Sequence, residues 1–499
     1  MGFAPEKVAF FDRMDEQELA LTFDDVRMRT RSGSEEPLPE TIDIQSRFSE
    51  HVELKVPFVS AAMDTVTTGD MAIAMAKLGG LGVVHAAMSI ENQRDEVRRV
   101  KKEVHGLIEK PIMVSATDTL EAVLATCDQK RFDFRTFPVI DSNGKFVGLL
   151  TGDDFKYPDS MSVTVETVMK SADQVSTTAG DTTLEQAYRR MQAEKISMLP
   201  ILTAKGEVEG LYLFSDVSRI HRDAVQYNVD GNGQLRVAAA ISTGKDALER
   251  VEALSKYLDV AVIDTADGDS HYAFKTLQAV KAAYPDLDVV VGNISDGASA
   301  RELAEAGANG IKIGQGPGSI CTTRRETGIG MPQVTAVYEA RKALGDSYAH
   351  IPVIADGGIK DHGDIPIAFA AGADAVMMGR MLAGTKEAPG DVIIRRDGSR
   401  VKVYRGMGSP SALQDNDASR ERYGASKSGI FLAEGVEAQV PFEGNVEDVL
   451  GLCILALRKG MRYVKAPDLA YHQQNTLFKR ITNAGLRESH PHDIDVTKQ

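Results

Sequence analysis

Between residues 254 and 380 short apolar runs alternate with amphipathic helical stretches, and no other feature restricts the fold of this chain as strongly. The runs are Leu258–Ile263, Val289–Val291, Gly310–Ile313, Val353–Ala355 and Ala375–Met378, with helical patterns between them that include Ala298–Ala308 and Ile365–Ala371. Apolar runs without polar alternation belong to strands buried on both faces, the condition of a parallel sheet covered by helices. Each run ends in a polar or glycine-rich loop: Asp264–Ser270, Gly292-Asn293, Gly314–Thr323, Asp356-Gly-Gly358 and Gly379-Arg380. Polar loops at the C-terminal ends of successive parallel strands are the pattern of a (β/α)8 TIM barrel, an α/β fold. A doubly wound sheet would gather them at one switch point. Residues 20–107 carry the same alternation, with strand runs at Lys55–Ser60 and Gly79–His85 around a helical Met71–Leu78.

Residues 108–222 interrupt it. Pro138–Asp154 and Pro200–Asp216 are one unit written twice: Pro138 matches Pro200, Gly144 Gly206, Gly148 Gly210 and Asp154 Asp216 at one common offset. Each copy follows a helical stretch opened by Thr-Leu-Glu, at 119–121 and 183–185. A duplication of about 60 residues implies two similar βαββα units packed as a pseudo-symmetric pair. Insertion into a barrel loop is tolerated when the inserted ends lie close together. The expected organisation is barrel over 1–107, inserted pair over 108–222, and barrel again over 223–499. The pair resembles the tandem CBS (Bateman) module. That resemblance implies a regulatory site for purine nucleotides of the ATP/GTP class, with the hydroxyl and carboxylate of a Gly-x-x-Thr/Ser-x-x-Asp pattern on ribose and phosphate. Thr151 and Asp154 carry it in the first copy; in the second Asp216 remains, but Leu213 stands at the hydroxyl position. Two copies that only pack against each other are the alternative.

A net charge of −15 counts against nucleic acid or an anionic membrane as the main partner. Three cysteines cannot build a disulfide framework, so a reducing cytoplasm is the expected compartment. The segment Met1–Lys7 lacks the basic and apolar regions of a secretory signal, and no apolar run approaches a membrane span. Cys127 and Cys453 fall in helical apolar patterns and read as packing residues. Cys321 differs. It closes the segment Gly314-Gln-Gly-Pro-Gly-Ser-Ile-Cys-Thr-Thr-Arg324, a glycine-rich loop able to approach an ion or phosphate closely, with a thiol flanked by hydroxyls. A thiol so placed is a candidate nucleophile when nearby dipoles or cations stabilise its thiolate; a turn followed by a buried Cys is the plain alternative.

The loops after the later strands complete the picture. Gly358 and Gly379 offer backbone N–H groups where barrels commonly hold phosphate, Arg380 adds a charge-assisted contact, and Asp356 can accept hydrogen bonds from a ribose diol. A nucleoside-monophosphate pocket is expected. The chain resembles the IMP dehydrogenase family along nearly its whole length: Leu21-Thr-Phe-Asp-Asp-Val26, Ala62-Met-Asp-Thr-Val66, Gly314–Gly330, Ala355-Asp-Gly-Gly-Ile359, Tyr404-Arg-Gly-Met-Gly-Ser409, Arg422-Tyr423 and Arg487-Glu-Ser-His-Pro-His-Asp493.

The resemblance implies oxidation of IMP to XMP with NAD+, the first committed step of guanine nucleotide synthesis. Cys321 attacks C2 of the purine, hydride leaves to the nicotinamide, and water hydrolyses the Cys321 thioimidate. A mobile flap matching about 401–437 enters after the dinucleotide leaves, with Arg422 as water-activating base, Tyr423 orienting it, and Thr323 as a second proton acceptor. Because arginine is a poor base, that role requires a water-excluded, hydrogen-bonded setting. The family's IMP contacts fall on Ser319, Asp356, Gly358, Gly379, Arg380, Tyr404, Gly406, Met407, Gly408 and Glu434. Its NAD contacts fall on Asp264, Thr265, Gly314 and Gly316. A K+ ion is implied on the carbonyls of Gly316, Gly318 and Cys321, completed by Glu488, Ser489 and His490 of a neighbouring copy in a homotetramer, with octamers forming through the CBS pair.

Two departures stand out. Asp267 and Asp269 replace the His usual in bacterial relatives, a change that bears on dinucleotide binding or on potassium or pH dependence. Arg380 replaces a frequent Ser. The rival is GMP reductase, which shares the barrel, the Cys and the following Thr and reductively deaminates GMP with NADPH. Glu387, in Gly384-Thr-Lys-Glu-Ala-Pro389, matches a carboxylate the reductase uses, whereas the flap with Arg422-Tyr423 belongs to the dehydrogenase. A catalytically inactive nucleotide-sensing regulator is a third reading, opposed by the intact Cys321, Thr323, Arg422 and Tyr423.

Overall fold

Eight parallel strands close a barrel: β1 Phe58–Ser60, β2 Leu81–Val84, β3 Ala238–Ile241, β4 Val260–Asp264, β5 Asp288–Ile294, β6 Gly310–Ile313, β7 Val353–Asp356 and β8 Ala375–Met378. The structure is a computed structural model that describes residues 2–494 except 34–35, 105–106, 109, 131, 133, 157–159, 181, 224, 245 and 425–430. β8 closes onto β1 with Met378 opposite Ser60, and β2 joins β3 across the insertion with Val84 opposite Ala239. The expected strand runs overlap β1, β2 and β4–β8. β3 was missed, because its run of alanines has little β propensity; burial between neighbouring strands, more than propensity, makes it a strand.

Inward side chains such as Val59, Val83, Ala240, Val262, Val290 and Met377 fill the barrel, and Phe48, Val52 and Leu54 of the hairpin Ser46–Leu54 join them. A filled barrel has no pore, so chemistry is confined to the C-terminal rim. Two of the barrel helices begin on side-chain caps that follow the rim loops. Ser270 accepts from Ala273 N at 3.3 Å to open His271–Ala283, and Asp296 accepts from Ser299 N at 2.9 Å to open Gly297–Glu305. Cys127 and Cys453 are buried, as their helical patterns imply, and Cys321 is half-buried. Among the described residues no helix is long and apolar enough to cross a membrane.

The chain divides into two compact units, one of residues 1–102, 226–228 and 235–499, the other of 103–225 and 229–234. The second unit holds two four-stranded sheets. Each copy of the repeat supplies a hairpin, Phe137–Ile140 with Phe146–Leu150 and Met198–Leu202 with Val208–Leu213, and both hairpins carry a register shift at the matching position. Gly144 and Gly206 turn them at φ 78° and 80°, a left-handed conformation glycine adopts without strain. The Thr-Leu-Glu segments open Leu120–Lys130 and Leu184–Glu194, the latter with a full capping box from Thr183 and Gln186.

Candidate active site

The barrel rim holds a cavity of about 190 Å3, walled by the ends or loops of β1, β4, β5, β6, β7 and β8 and by segments further along the chain. The Cys321 loop enters it from β6. Gly314 has φ 150°, and a Cβ there would strike the Asp356 carbonyl, so only glycine lets the loop cross the end of β7. Cys321 N donates to Gly318 O at 3.0 Å, which sets the thiol at the start of the helix Thr323–Thr327. Its Sγ lies 3.2 Å from Thr323 Oγ1, and that hydroxyl donates to Glu434 Oε2 at 2.7 Å. Glu434 is brought there by strand-like pairing: Thr322 N donates to Glu434 O and Val436 N to Ile320 O, both at 2.9 Å. Thiol, hydroxyl and carboxylate therefore form one continuous line.

Ser319, Gly357, Gly358, Gly379 and Arg380 gather along the wall where a phosphate was expected, together with Tyr404, Gly406 and Met407. Tyr404 is buried with its hydroxyl on Ser319 and 3.9 Å from Met63 Sδ; burial raises its pKa and the Ser319 bond opposes that rise.

A charged chain runs beneath the cavity. Lys312, fully buried in β6, donates to Asp264 Oδ1 at 2.8 Å, to Asp356 Oδ2 at 2.7 Å and to Asn293 Oδ1. Asn293 donates in turn to Asp356 Oδ2 at 3.0 Å and to Gly314 O at 2.6 Å. Asp264 also pairs with Arg422. Burial alone would raise the Asp264 pKa, but Arg422 and Lys312 overcome it and hold the carboxyl below its ordinary value.

Arg422 arrives on two short capped helices. Ser409 caps Pro410–Asp415, accepting from Ala412 N, and Asn416 caps Asp417–Arg422, accepting from Ser419 N at 2.7 Å. The Arg422 carbonyl accepts from Ala266 N at 3.1 Å and Thr265 Oγ1 at 3.3 Å, which docks the helix end on the loop after β4. Burial would lower the Arg422 pKa, yet the Asp264 carboxylate outweighs it and the net shift is upward. Arg422 is half-buried, and the effect anticipated for a basic arginine is reversed: paired with Asp264, it is held charged. Burial pushes the Tyr423 phenol up to about 12 against the opposing charge of Arg422.

Of the residues singled out in the sequence, Cys321, Thr323, Arg422, Tyr423, Ser319, Asp356, Gly358, Gly379, Arg380, Tyr404, Gly406, Met407, Glu434, Thr265, Gly314, Gly316 and Gly318 line this one cavity. Gly408 does not line it. A Cβ at Gly408 would come within 3.0 Å of the Tyr423 ring, so this glycine backs Tyr423 instead. Asp264 lies behind the wall in the charged chain. Glu488, Ser489 and His490 are exposed at the end of the helix Asn483–Glu488, apart from the cavity. Asp269 accepts from Ser299 Oγ at 2.8 Å, and Asp267 N approaches Thr265 Oγ1 at 3.4 Å. Glu387 is not on the cavity wall; its carboxylate accepts from Val446 N at 2.9 Å and caps the helix Val446–Tyr463. In the second unit Thr151 donates through both N and Oγ1 to Asp154 Oδ2, at 2.6 and 2.8 Å, and Asp216 pairs with Arg219 at 3.1 Å. Residues 425–430 of the expected flap lie outside the described residues.

Lys312, Asn293, Met63 and Lys360 were missed. Lys312 had a signal, a charge inside the apolar run Gly310–Ile313, where burial is costly without a partner. Lys360 lines the cavity while paired with Asp24 at 2.5 Å, and nothing in its local sequence marks it.

Comparison with known proteins agrees with this geometry. Inosine-5'-monophosphate dehydrogenase from Aquifex aeolicus is 40% identical over 482 residues, 96% of each chain. The enzyme of that name from Helicobacter pylori is 40% identical over 481 residues, covering 96% of this chain and 98% of the relative. Among solved structures, a cysteine-to-alanine variant of GMP reductase from Trypanosoma brucei, in complex with guanosine 5'-monophosphate, superposes with a TM-score of 0.80. It is 35% identical and covers 95% of this chain and 98% of its own. A sequence profile described as the IMP dehydrogenase / GMP reductase domain matches residues 20–492, and with a rim cavity that joins the Cys321 loop to the phosphate-side glycines, the chain belongs to the IMP dehydrogenase / GMP reductase family.

Proposed function

We propose that this protein oxidises IMP to XMP with NAD+ through a covalent Cys321 adduct. The observation that carries the reading is that the thiol shares its cavity with hydrolytic groups, Thr323 bonded to Glu434 and Arg422 beside Tyr423. A reductase forms no adduct that water must open, and its matching carboxylate, Glu387, is occupied here as a helix cap.

Ser319, Gly358, Gly379 and Arg380 hold the nucleotide phosphate and Asp356 the ribose, which sets the purine against Cys321. Gly406 and Met407 complete that wall. The Cys321 thiolate adds to C2 of the base. A bound NAD+ would supply the acceptor for the hydride lost from C2, and that loss would leave Cys321 in thioimidate linkage to the base. Asp264, Thr265, Gly314 and Gly316 are suited to hold the dinucleotide, but only when Arg422 has left Asp264, since both call on one carboxylate. Dinucleotide and flap therefore alternate. With the flap in place, water adds to C2, C2–S breaks, and XMP leaves. The water proton passes to Thr323 as Thr323 gives its own to Glu434, a route that the 2.7 Å bond prepares. The charged Arg422, steadied by Tyr423, orients the water. It can serve as base only when its pairing with Asp264 is broken.

The donor set of Gly316, Gly318 and Cys321 is neutral carbonyl oxygen, which suits a weakly polarising monovalent cation such as K+, with Glu488, Ser489 and His490 of a second copy completing it. A homotetramer or octamer, a cytoplasmic location, and ATP- or GTP-class nucleotides at Thr151, Asp154 and Asp216 go with this reading. Purified protein mixed with IMP, NAD+ and K+ is expected to give the absorbance of reduced nicotinamide. Turnover only with GMP and NADPH would replace the reading with the reductase, the activity named for the Trypanosoma brucei neighbour.

A further inference from the structure

Arg405 ends the strand Arg400–Arg405, just before the two helices that carry Arg422. Its guanidinium binds in two directions. Nε and one Nη donate to Asp64 Oδ2 at 2.9 and 2.6 Å; the other Nη donates to Asp415 Oδ2 at 2.7 Å and to Ser411 Oγ at 3.0 Å. The two halves differ in exposure: the Asp64 side chain is 11% exposed, that of Asp415 56%. Asp64 belongs to the loop after β1 that brings Met63 to the cavity and to the Tyr404 hydroxyl. Ser411 and Asp415 belong to the helix Pro410–Asp415, from which Asn416 leads directly to Arg422. One planar fork thus joins the loop after β1 to the arm of the flap, a task a lysine point charge cannot perform with the same geometry.

We propose that Asp64, Arg405 and Asp415 form the latch of the flap, with Arg405 and Asp415 acting as positioning residues for the hydrolytic step. Asp64 fixes Arg405 to the loop after β1. Arg405 then holds Ser411 and Asp415 down while Arg422 stands in the cavity, and releases them when the dinucleotide takes that space. The division of burial fits the task. A pair shielded on both sides would keep the flap shut, whereas an exposed one biases closure and still opens at every turnover. The neighbouring caps at Ser409 and Asn416 stiffen the arm, so a hold at Asp415 is transmitted to Arg422.

The inference rests on the dehydrogenase reading, which the wild-type protein tests alone: it must form NADH from IMP. Asp415→Asn is then compared with wild type by rapid mixing and at steady state. The first-turnover NADH burst is expected to keep its rate within about twofold, while kcat falls about three- to fivefold, the scale of one exposed ion pair. Excess NAD+ should inhibit at about three- to fivefold lower concentration, because the unlatched flap yields its space more readily. Asp415→Glu, which keeps the carboxylate, should restore both. A burst that falls in step with kcat would assign Asp415 to the cavity wall and overturn the latch, as would unchanged kcat and NAD+ inhibition. Absence of NADH from the wild type would overturn the reading beneath it.

Discussion

The barrel rim and the inserted pair use the same kinds of side chain in opposite ways. At the rim, polar partners are far apart in the chain: Lys312 meets Asp264 across 48 residues, Thr323 meets Glu434 across 111 and Arg422 meets Asp264 across 158. In the insert Thr151 meets Asp154 and Asp216 meets Arg219, each across three. A hydroxyl and a carboxylate three residues apart at a helix start satisfy backbone N–H groups that any such start must satisfy. Long-range burial of charge has no such local reason. A lysine as buried as Lys312 is costly unless paired, and its partners here stand at a cavity. The rim arrangement therefore demands a functional cause, while the insert's motif is already explained by folding and needs a ligand experiment to say more.

The sharpest way to break the contrast is to dissect the rim line of thiol, hydroxyl and carboxylate. Cys321→Ala removes the nucleophile, and NADH formation from IMP should fall by several orders of magnitude with the fold intact. Glu434→Gln should behave differently: the NADH burst survives and steady turnover drops about 100-fold, because only the proton route in hydrolysis is lost. Rapid-mixing absorbance separates the two. Equal loss of burst and turnover in Glu434→Gln would return Glu434 to the role first given it, a contact to IMP.

The bond from Thr323 to Glu434 is not legible in the sequence. The barrel was legible because both-face burial writes itself as apolar runs, and the rim because its loops follow those runs. β3 was not, since alanine carries no strand preference. The loops were assigned to a shared pocket, but partners within it were not, because nothing local relates Thr323 to Glu434 or Arg422 to Asp264. The same gap reversed the expectation for Arg422: burial was foreseen, the carboxylate beside it was not. Glu387 looked functional from its neighbours in sequence, and only the helix start at Val446 reveals its use as a cap.

Acid titration should separate the two units less dramatically. His472, buried in the barrel unit, has Nε2 2.8 Å from Pro366 O and Nδ1 2.9 Å from Thr476 Oγ1. A carbonyl at Nε2 fixes the proton there, so Nδ1 accepts from the threonine and the neutral ring is satisfied. Burial lowers its pKa to about 4 despite the bond to Pro366, and His85, also in this unit, is lowered to about 4 by burial. The unfolded chain takes up these protons near pH 6.5 while the fold resists until about 4. Stability is therefore full above that range and declines as pH falls through it, by roughly 3 kcal/mol for each histidine. Hydrogen exchange at β4 and β5 should report the loss, and His472→Gln, able to keep the bond to Pro366, should roughly halve it. His472 and His85 both lie in the barrel unit, so exchange at Met198–Leu202 of the insert should change less over the same range. Equal slopes in both units, or an unchanged slope in His472→Gln, would remove this difference.

The smallest effect bears on whether the insert's local motif has a second use. Asp154→Ala discards the cap and should lower the stability of the inserted unit by about 1 kcal/mol. Asp154→Asn is the informative variant. An amide oxygen can still accept from Thr151 N and Oγ1, so unliganded stability should stay within about 0.5 kcal/mol of wild type. A ribose diol bound to the carboxylate would lose its charged acceptor, and the midpoint rise given by ATP or GTP should largely disappear. Asp216→Asn should matter less, because Leu213 leaves the second copy without the paired hydroxyl. A nucleotide-induced rise that survives Asp154→Asn intact would leave Thr151 and Asp154 as a helix start and nothing more. The insert would then differ from the rim in kind, since Thr151 and Asp154 would be accounted for by the turn they begin.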